Sequence, residues 1–138
     1  MHPETTLYLF RHGQTEWAAT GQHTGRTDIA LNDKGREQAR MLREATSRLK
    51  FDAALVSPLS RARETAELAG FNAPLTFVDD LMEVNYGVYE GLTTARIRES
   101  VPGWTVWTHP LPEGETLEQA AARCERVISK AQELAPGG

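Results

Sequence analysis

The stretch Ala53-Ala54-Leu55-Val56-Ser57-Pro58-Leu59-Ser60-Arg61-Ala62-Arg63-Glu64-Thr65-Ala66 decides the fold. Its first four residues are short, apolar and uninterrupted, as in a strand buried on both faces. Ser57-Pro58 stops that strand and starts a helix, because the fixed φ of proline suits a first helical turn. The helix runs to about Ala69, where Gly70 supplies an end signal. Leu75 to Val78 then reads as a further, weaker strand. A strand, a helix and a strand in this order form the crossover that joins parallel neighbours in a sheet.

Outward from this unit the pattern repeats. Leu7-Tyr8-Leu9-Phe10 reads as another buried strand. The Gly-, Thr- and Asp-rich stretch from Gly13 to Asp33 reads as a long loop, a kind of segment that often carries function. A helix follows, capped by Asn32 or Asp33, with Ala39, Leu42, Ala45 and Leu49 at helical spacing. Asp79 to Gly114 reads as irregular, with one short helix around Thr94 to Ser100. Thr116-Leu117-Glu118-Gln119 is a capping-box pattern that opens a last helix. Leu117, Ala120, Ala121, Cys124, Val127, Ile128, Ala131 and Leu134 form its apolar stripe, and Pro136-Gly137-Gly138 ends it. The expectation is an α/β fold over residues 1–138 as a single domain. It would be a three-layer sandwich, with a mainly parallel sheet and helices on both faces.

Composition narrows the function. The 138 residues are 40% apolar and 25% charged, with a net charge of −4. That balance is ordinary for a globular domain. It disfavours a nucleic-acid or anionic-membrane surface, which is normally basic. A small anionic substrate needs only local arginines. One cysteine, Cys124, leaves no internal disulfide. No run near the start reads as a signal peptide, and no apolar stretch is long enough to span a bilayer. These features point to the cytoplasm.

In parallel sheets, ligands sit beyond the carboxyl ends of the strands. Arg11-His12-Gly13 and Ser57 to Arg61 therefore fall on one edge. A neutral imidazole is a nucleophile, and an arginine beside it offers a planar fork to phosphate oxygens. Arg61 lies in the first turn of its helix, where free N–H groups and the helix dipole favour an anion. Phosphoryl transfer from an ester also needs a proton for the leaving oxygen. Glu83 and Glu90, in Leu81-Met82-Glu83-Val84-Asn85-Tyr86-Gly87-Val88-Tyr89-Glu90-Gly91, both qualify by composition. An ordinary strand-end histidine would account for the tripeptide alone; the second cluster is what favours chemistry. Trp17 reads equally as a pocket-shaping or a packing residue, Trp104 and Trp107 as packing residues, Cys124 as inert core, His109 as a loop histidine and His2 as a terminal residue without a role. No ligand set has metal spacing, so neither a metal nor another cofactor is expected.

These elements, in this order, resemble the histidine phosphatase superfamily, the phosphoglycerate-mutase-like enzymes. The matching text is Leu9-Phe10-Arg11-His12-Gly13-Gln14-Thr15-Glu16-Trp17, then Thr24-Gly25-Arg26-Thr27-Asp28-Ile29-Ala30-Leu31 with Gly35 and Gln38-Ala39. It continues with Ser57 to Ala66, Glu83 with Tyr86-Gly87 and Tyr89-Glu90-Gly91, and Pro112-Glu113-Gly114-Glu115. The resemblance implies that His12 is the nucleophile that becomes phosphohistidine. It implies that Arg11 and Arg61 bind the phosphoryl oxygens and that Glu83 is the proton donor and then the base. Thr24 and Gly25 match a loop that touches substrate, and His23 would border it. The substrate would be a small phosphorylated metabolite. Ala18 stands where many members carry a phosphate-contacting Asn, which argues against a cofactor-dependent mutase. The wording around Gly21 to Asp28 is more similar to the acid phosphatase and sugar-bisphosphatase subgroup.

The family also carries a second catalytic histidine after a late core strand, and no histidine follows Gly114 here. The expectation is a chain that stops short of that strand, leaving an apolar helix stripe or an unpaired sheet edge open to self-association. Such a chain would be an impaired enzyme or a phosphate-binding remnant. Turnover by residues 1–138 should be weak or nil beside a version extended by a strand-His-Gly segment. Equal rates in a phosphate-release assay would refute the shortfall.

Overall fold

β1 (Ala54–Val56) and β2 (Leu75–Phe77) lie side by side in parallel, in the register Ala54 to Leu75, Leu55 to Thr76 and Val56 to Phe77. α3 (Ser60–Ala69) joins them. The crossover expected from the sequence is therefore present. Its helix starts two residues after Pro58, and Gly70 closes it at a φ of 67°. This computed structural model describes residues 4–138; Met1 to Pro3, with His2, lie outside the described residues.

α2 (Asp33–Ser47) packs along α3. The Asn32 side chain caps α2 by accepting from Gly35 N at 2.8 Å. Small buried residues, Gly35 and Ala39 on α2 and Ala66 and Ala69 on α3, leave little bulk on either helix. Polar groups tie the same pair: Thr46 Oγ1 donates to Ala69 O, Arg43 Nε to Leu68 O, and Arg36 pairs with Glu64 at 2.6 Å. α1 (Glu16–Thr20) is a short helix within the long loop, capped by Thr15. α4 (Thr94–Ser100) follows an irregular stretch that contains single 3-10 turns at Asp79–Leu81 and Gly87–Tyr89. A small second core holds that stretch: Ile97, Trp104 and Leu111, flanked by Val84, Tyr86, Tyr89 and Leu92. Trp104 is thus a packing residue as expected, whereas Trp107 is exposed.

Two further expectations fail. Residues 7–10 form no strand: they carry no ladder bonds, and Leu9 is 92% exposed. An apolar run makes a strand only where a neighbour accepts its hydrogen bonds. Among the described residues, β1 bonds β2 alone. What holds the segment is aromatic: Tyr8 and Phe10 meet Phe51 edge-on, and Phe10 meets Phe71 at 5.0 Å. Cys124 is also exposed rather than core. It lies on α5 (Leu117–Leu134), whose capping box forms as read, but whose one buried residue is Ala131. α5 attaches chiefly through charge. Arg126 grips Asp80 at 2.9 and 3.0 Å, and Arg123 donates to Asp80 O, Met82 O and the Glu115 carboxylate. Among the described residues no helix is long and apolar enough to cross a membrane.

A very close backbone approach lies between Gly13-Gln14 and Gly35. A Cβ on Gly35 would overlap Gln14 O and N, and one on Gly13 would overlap Gly35 O. Gly35→Ala should therefore push the 13–14 segment off α2. The cost should be about 1–3 kcal/mol or more, a fall of several degrees in Tm. A Tm within one degree of the parent would show that the contact gives way freely.

Candidate active site

His12 sits just before that contact, so the same packing that fixes Gly13 fixes the imidazole. Gly13 is buried, and its N–H donates to Thr65 Oγ1 at 3.1 Å. Thr65 Oγ1 in turn donates to Arg61 O at 2.6 Å. Gln14 N donates to Gln38 Oε1, while Gln14 O accepts from Asn32 N and Gln14 Oε1 from Asn32 Nδ2. The segment carrying His12 is thus pinned between α2 and α3.

The half-buried ring of His12 has Nδ1 2.7 Å from Gly13 O. A carbonyl can only accept, so Nδ1 carries the proton and Nε2 keeps its lone pair. Burial lowers the His12 pKa from 6.5. The Gly13 carbonyl opposes this, the Arg61 charge lowers it further, Glu83 raises it and Arg11 lowers it. The net direction favours the neutral, nucleophilic imidazole. The charges of Arg61, Glu83 and Arg11 are thus felt at the ring.

Arg61 is 2% exposed. Its Nη1 donates to Thr27 O at 2.9 Å, and its Nη2 to Gly25 O at 2.6 Å and to Glu83 Oε2 at 3.1 Å. Three of the five guanidinium N–H groups are therefore committed, which leaves Nε and one Nη1 proton unpartnered among the described residues. Glu83 is more open, with its side chain 39% exposed. Arg11 is exposed and makes no side-chain hydrogen bond among the described residues, though its charge reaches His12 and Tyr86. Glu90 does not face Arg61. Its Oε1 accepts from Thr27 N at 2.7 Å and Thr27 Oγ1 at 2.5 Å. Of the two carboxylates open by composition, it is Glu83 that meets the guanidinium.

Thr24 and Gly25 are buried, and Gly25 takes a φ of 57°, a left-handed conformation that suits glycine. His23 stacks on Tyr86 with centroids 4.7 Å apart, meets Trp104 edge-on and approaches Thr94 Oγ1 at 3.0 Å. Burial lowers its pKa while the Glu83 charge raises it. The helix-end anion site anticipated at Arg61 is already filled by the protein: Ser60 N and Oγ both donate to Asp28 at 2.8 Å. Those bonds, the hydroxyl's first, hold the Asp28 carboxyl below its usual range. Sequence reasoning missed Asp28 and Thr65, and offered Glu90 only as a rival proton donor. Thr65 alone had a local signal, since it lies four residues after Arg61 on the same helix face. Among the described residues no group of three His, Cys, Asp or Glu side chains could hold a metal ion.

The chain is 43% identical over 129 residues to an acid phosphatase of Mycobacterium tuberculosis, covering 92% of this chain and 63% of that protein. It is 35% identical over 151 residues to sedoheptulose 1,7-bisphosphatase of Saccharomyces cerevisiae, covering 91% and 55%. The chain therefore spans less than two thirds of the length of either relative. The solved structure of an open reading frame product from Mycobacterium tuberculosis superposes with a TM-score of 0.81 at 42% identity, covering 88% of this chain and 64% of the other. Residues 7–138 match the Histidine phosphatase superfamily (branch 1), and the chain belongs to that family.

Proposed function

We propose that this chain carries the phosphoryl-transfer site of a phosphomonoester hydrolase that acts on a small phosphorylated metabolite in the cytoplasm, with residues 1–138 folding as one domain. The observation that carries the reading is the His12 ring. Its Nδ1 is held by Gly13 O, and the charges of Arg61, Arg11 and Glu83 converge on it.

In this reading Nε2 of His12 attacks phosphorus, the P–O bond to the leaving group breaks, and phosphohistidine forms. Arg11 and the uncommitted N–H groups of Arg61 take the phosphoryl oxygens, where charge accumulates. The arriving dianion competes with Glu83 for Arg61. Displaced from the guanidinium, the Glu83 carboxylate takes a proton from solvent, hands it to the departing alkoxide and afterwards draws one from water. Water then attacks phosphorus, the N–P bond breaks, and phosphate leaves. Thr24, Gly25 and His23 border the substrate, and no metal takes part. The relatives' acid phosphatase and sugar-bisphosphatase names favour hydrolysis over transfer to a second hydroxyl. So does Ala18, which offers no polar group to a phosphate.

In the version extended by a strand-His-Gly segment, hydrolysis of an aryl phosphate without added metal should fall roughly a thousandfold or more in His12→Ala, the order expected when a covalent nucleophile is lost. Arg61→Ala should lose about 10²–10³. An acid-labile, alkali-stable phosphoprotein should be trapped in the parent and missing in His12→Ala. Phosphate bound without any such intermediate would leave a binding remnant. Phosphoglycerate interconversion faster than phosphate release would point to a mutase.

The imidazole offers a second check. His12 should titrate below 6.5 by NMR, because burial and the two arginines outweigh the opposing Gly13 and Glu83 contributions. Removing the Glu83 charge in Glu83→Gln should move its midpoint lower still. An unchanged midpoint would mean that the two side chains do not interact.

A further inference from the structure

We propose that Glu90 is a positioning residue for Arg61, acting through the turn at residues 25–27; this rests on Arg61 being the phosphate-binding arginine of the proposed reaction. Arg61 is oriented by two backbone carbonyls, Gly25 O and Thr27 O. Glu90 touches both residues that present them. Its Oε1 accepts from the N–H and the hydroxyl of Thr27, at 2.7 and 2.5 Å, while the carbonyl of the same residue turns to Arg61. Its other oxygen packs on Gly25 so closely that a Cβ there would approach it to 2.8 Å. Gly25 is held at a φ of 57° in that contact.

Glu90 is itself anchored. Its N–H donates to Gly87 O at 3.2 Å, and Gly91 N donates to His23 O at 2.7 Å. The carboxylate thus links the Gly87–Gly91 segment to the turn that aims the guanidinium. Without it, Thr27 N–H keeps a weaker contact with Thr24 O at 3.1 Å, and the hydroxyl loses its partner. A phosphate clamp works only while its N–H directions are fixed, and a misplacement of about 1 Å can cost a hundredfold. Both Thr27 donors meet one oxygen, so the acceptor matters rather than the charge. An amide oxygen can do the same work.

Inorganic phosphate affinity, read by calorimetry on the full chain, tests the proposal together with the Arg61 side-chain N–H resonances and Tm. Arg61→Ala sets the floor. Glu90→Gln should bind phosphate within about twofold of the parent and leave the Arg61 resonances in place. Glu90→Leu should bind about tenfold more weakly and shift or broaden those resonances, while still folded at the assay temperature. Should Glu90→Leu fail to fold, Thr27→Val takes its place, with an expected loss of a few fold. Parent-like affinity and Arg61 resonances in Glu90→Leu, or in Thr27→Val, would overturn the proposal. A loss in Glu90→Gln as large as in Glu90→Leu would overturn it too, since charge would then be what counts. A parent chain and Arg61→Ala that bind phosphate equally would refute the functional reading instead. The Arg61 resonances would still decide the role of Glu90.

Discussion

A guanidinium 2% exposed is the constraint around which the rest of this molecule is arranged. Removing an arginine from water without partners is costly, and the expense falls only when acceptors are fixed around it. Here two carbonyls and one carboxylate supply them, and each comes from a distant part of the chain. Residues 25–27 belong to the long loop before α2, and Glu83 belongs to the irregular stretch after β2. Burying one side chain therefore obliges both to come to the start of α3. The same turn of α3 reaches the other way through Thr65, whose hydroxyl joins Arg61 O to Gly13 N. One helical turn thus governs both the cation and the backbone that carries His12.

The two small cores meet at this junction without merging. α2, α3 and the β1–β2 pair bury Ala39, Ala66, Ala69 and Val56 on one side, and Ile97, Trp104 and Leu111 pack on the other. What joins them is polar: Arg61 with Glu83, Thr27 with Glu90, and Arg26 Nε with Glu83 O at 2.9 Å. His23 completes the seam by stacking on Tyr86 while its backbone bonds Leu92 and Gly91. Buried polar links of this kind are strong when satisfied and costly when broken. The geometry of the site and the cohesion of the two cores therefore depend on the same bonds.

Local patterns were legible in the sequence where the signal and its cause lay close together. The Ala54–Val56 strand, the α3 helix ended by Gly70, the Asn32 cap, the Thr94–Ser100 helix and the Thr116–Gln119 capping box all depend on neighbours within a few residues. The segment Leu7–Phe10 shows the limit. Its apolar run signals a wish for burial, but a strand also needs a ladder partner, and that partner is not written into the run itself. Cys124 failed for the same reason, because a stripe records amphipathicity and not whether anything covers it. At the site, Arg61 was legible as an arginine in a first helical turn. That Asp28, 32 residues earlier in the chain, fills the helix end could not be read. Nor could composition separate Glu83 from Glu90, since the difference between them is which one faces a guanidinium and which one faces Thr27.

The failed strand also changes what positions the nucleophile. In the sequence argument His12 was aimed by the end of a buried strand. In the structure it is aimed without one. The chain immediately after it is clamped where two glycines let backbones touch, Gly13 against Gly35, and Thr65 and Gln38 take the neighbouring N–H groups. A strand end transmits any slippage in register to the residue beyond it. A glycine contact has no register to slip, because the overlap that a single Cβ would cause leaves one depth of approach. The half-buried ring bonded to Gly13 O inherits that depth. Its placement therefore depends on α2 and α3, which hold the backbone just after it, and not on the exposed run that precedes it.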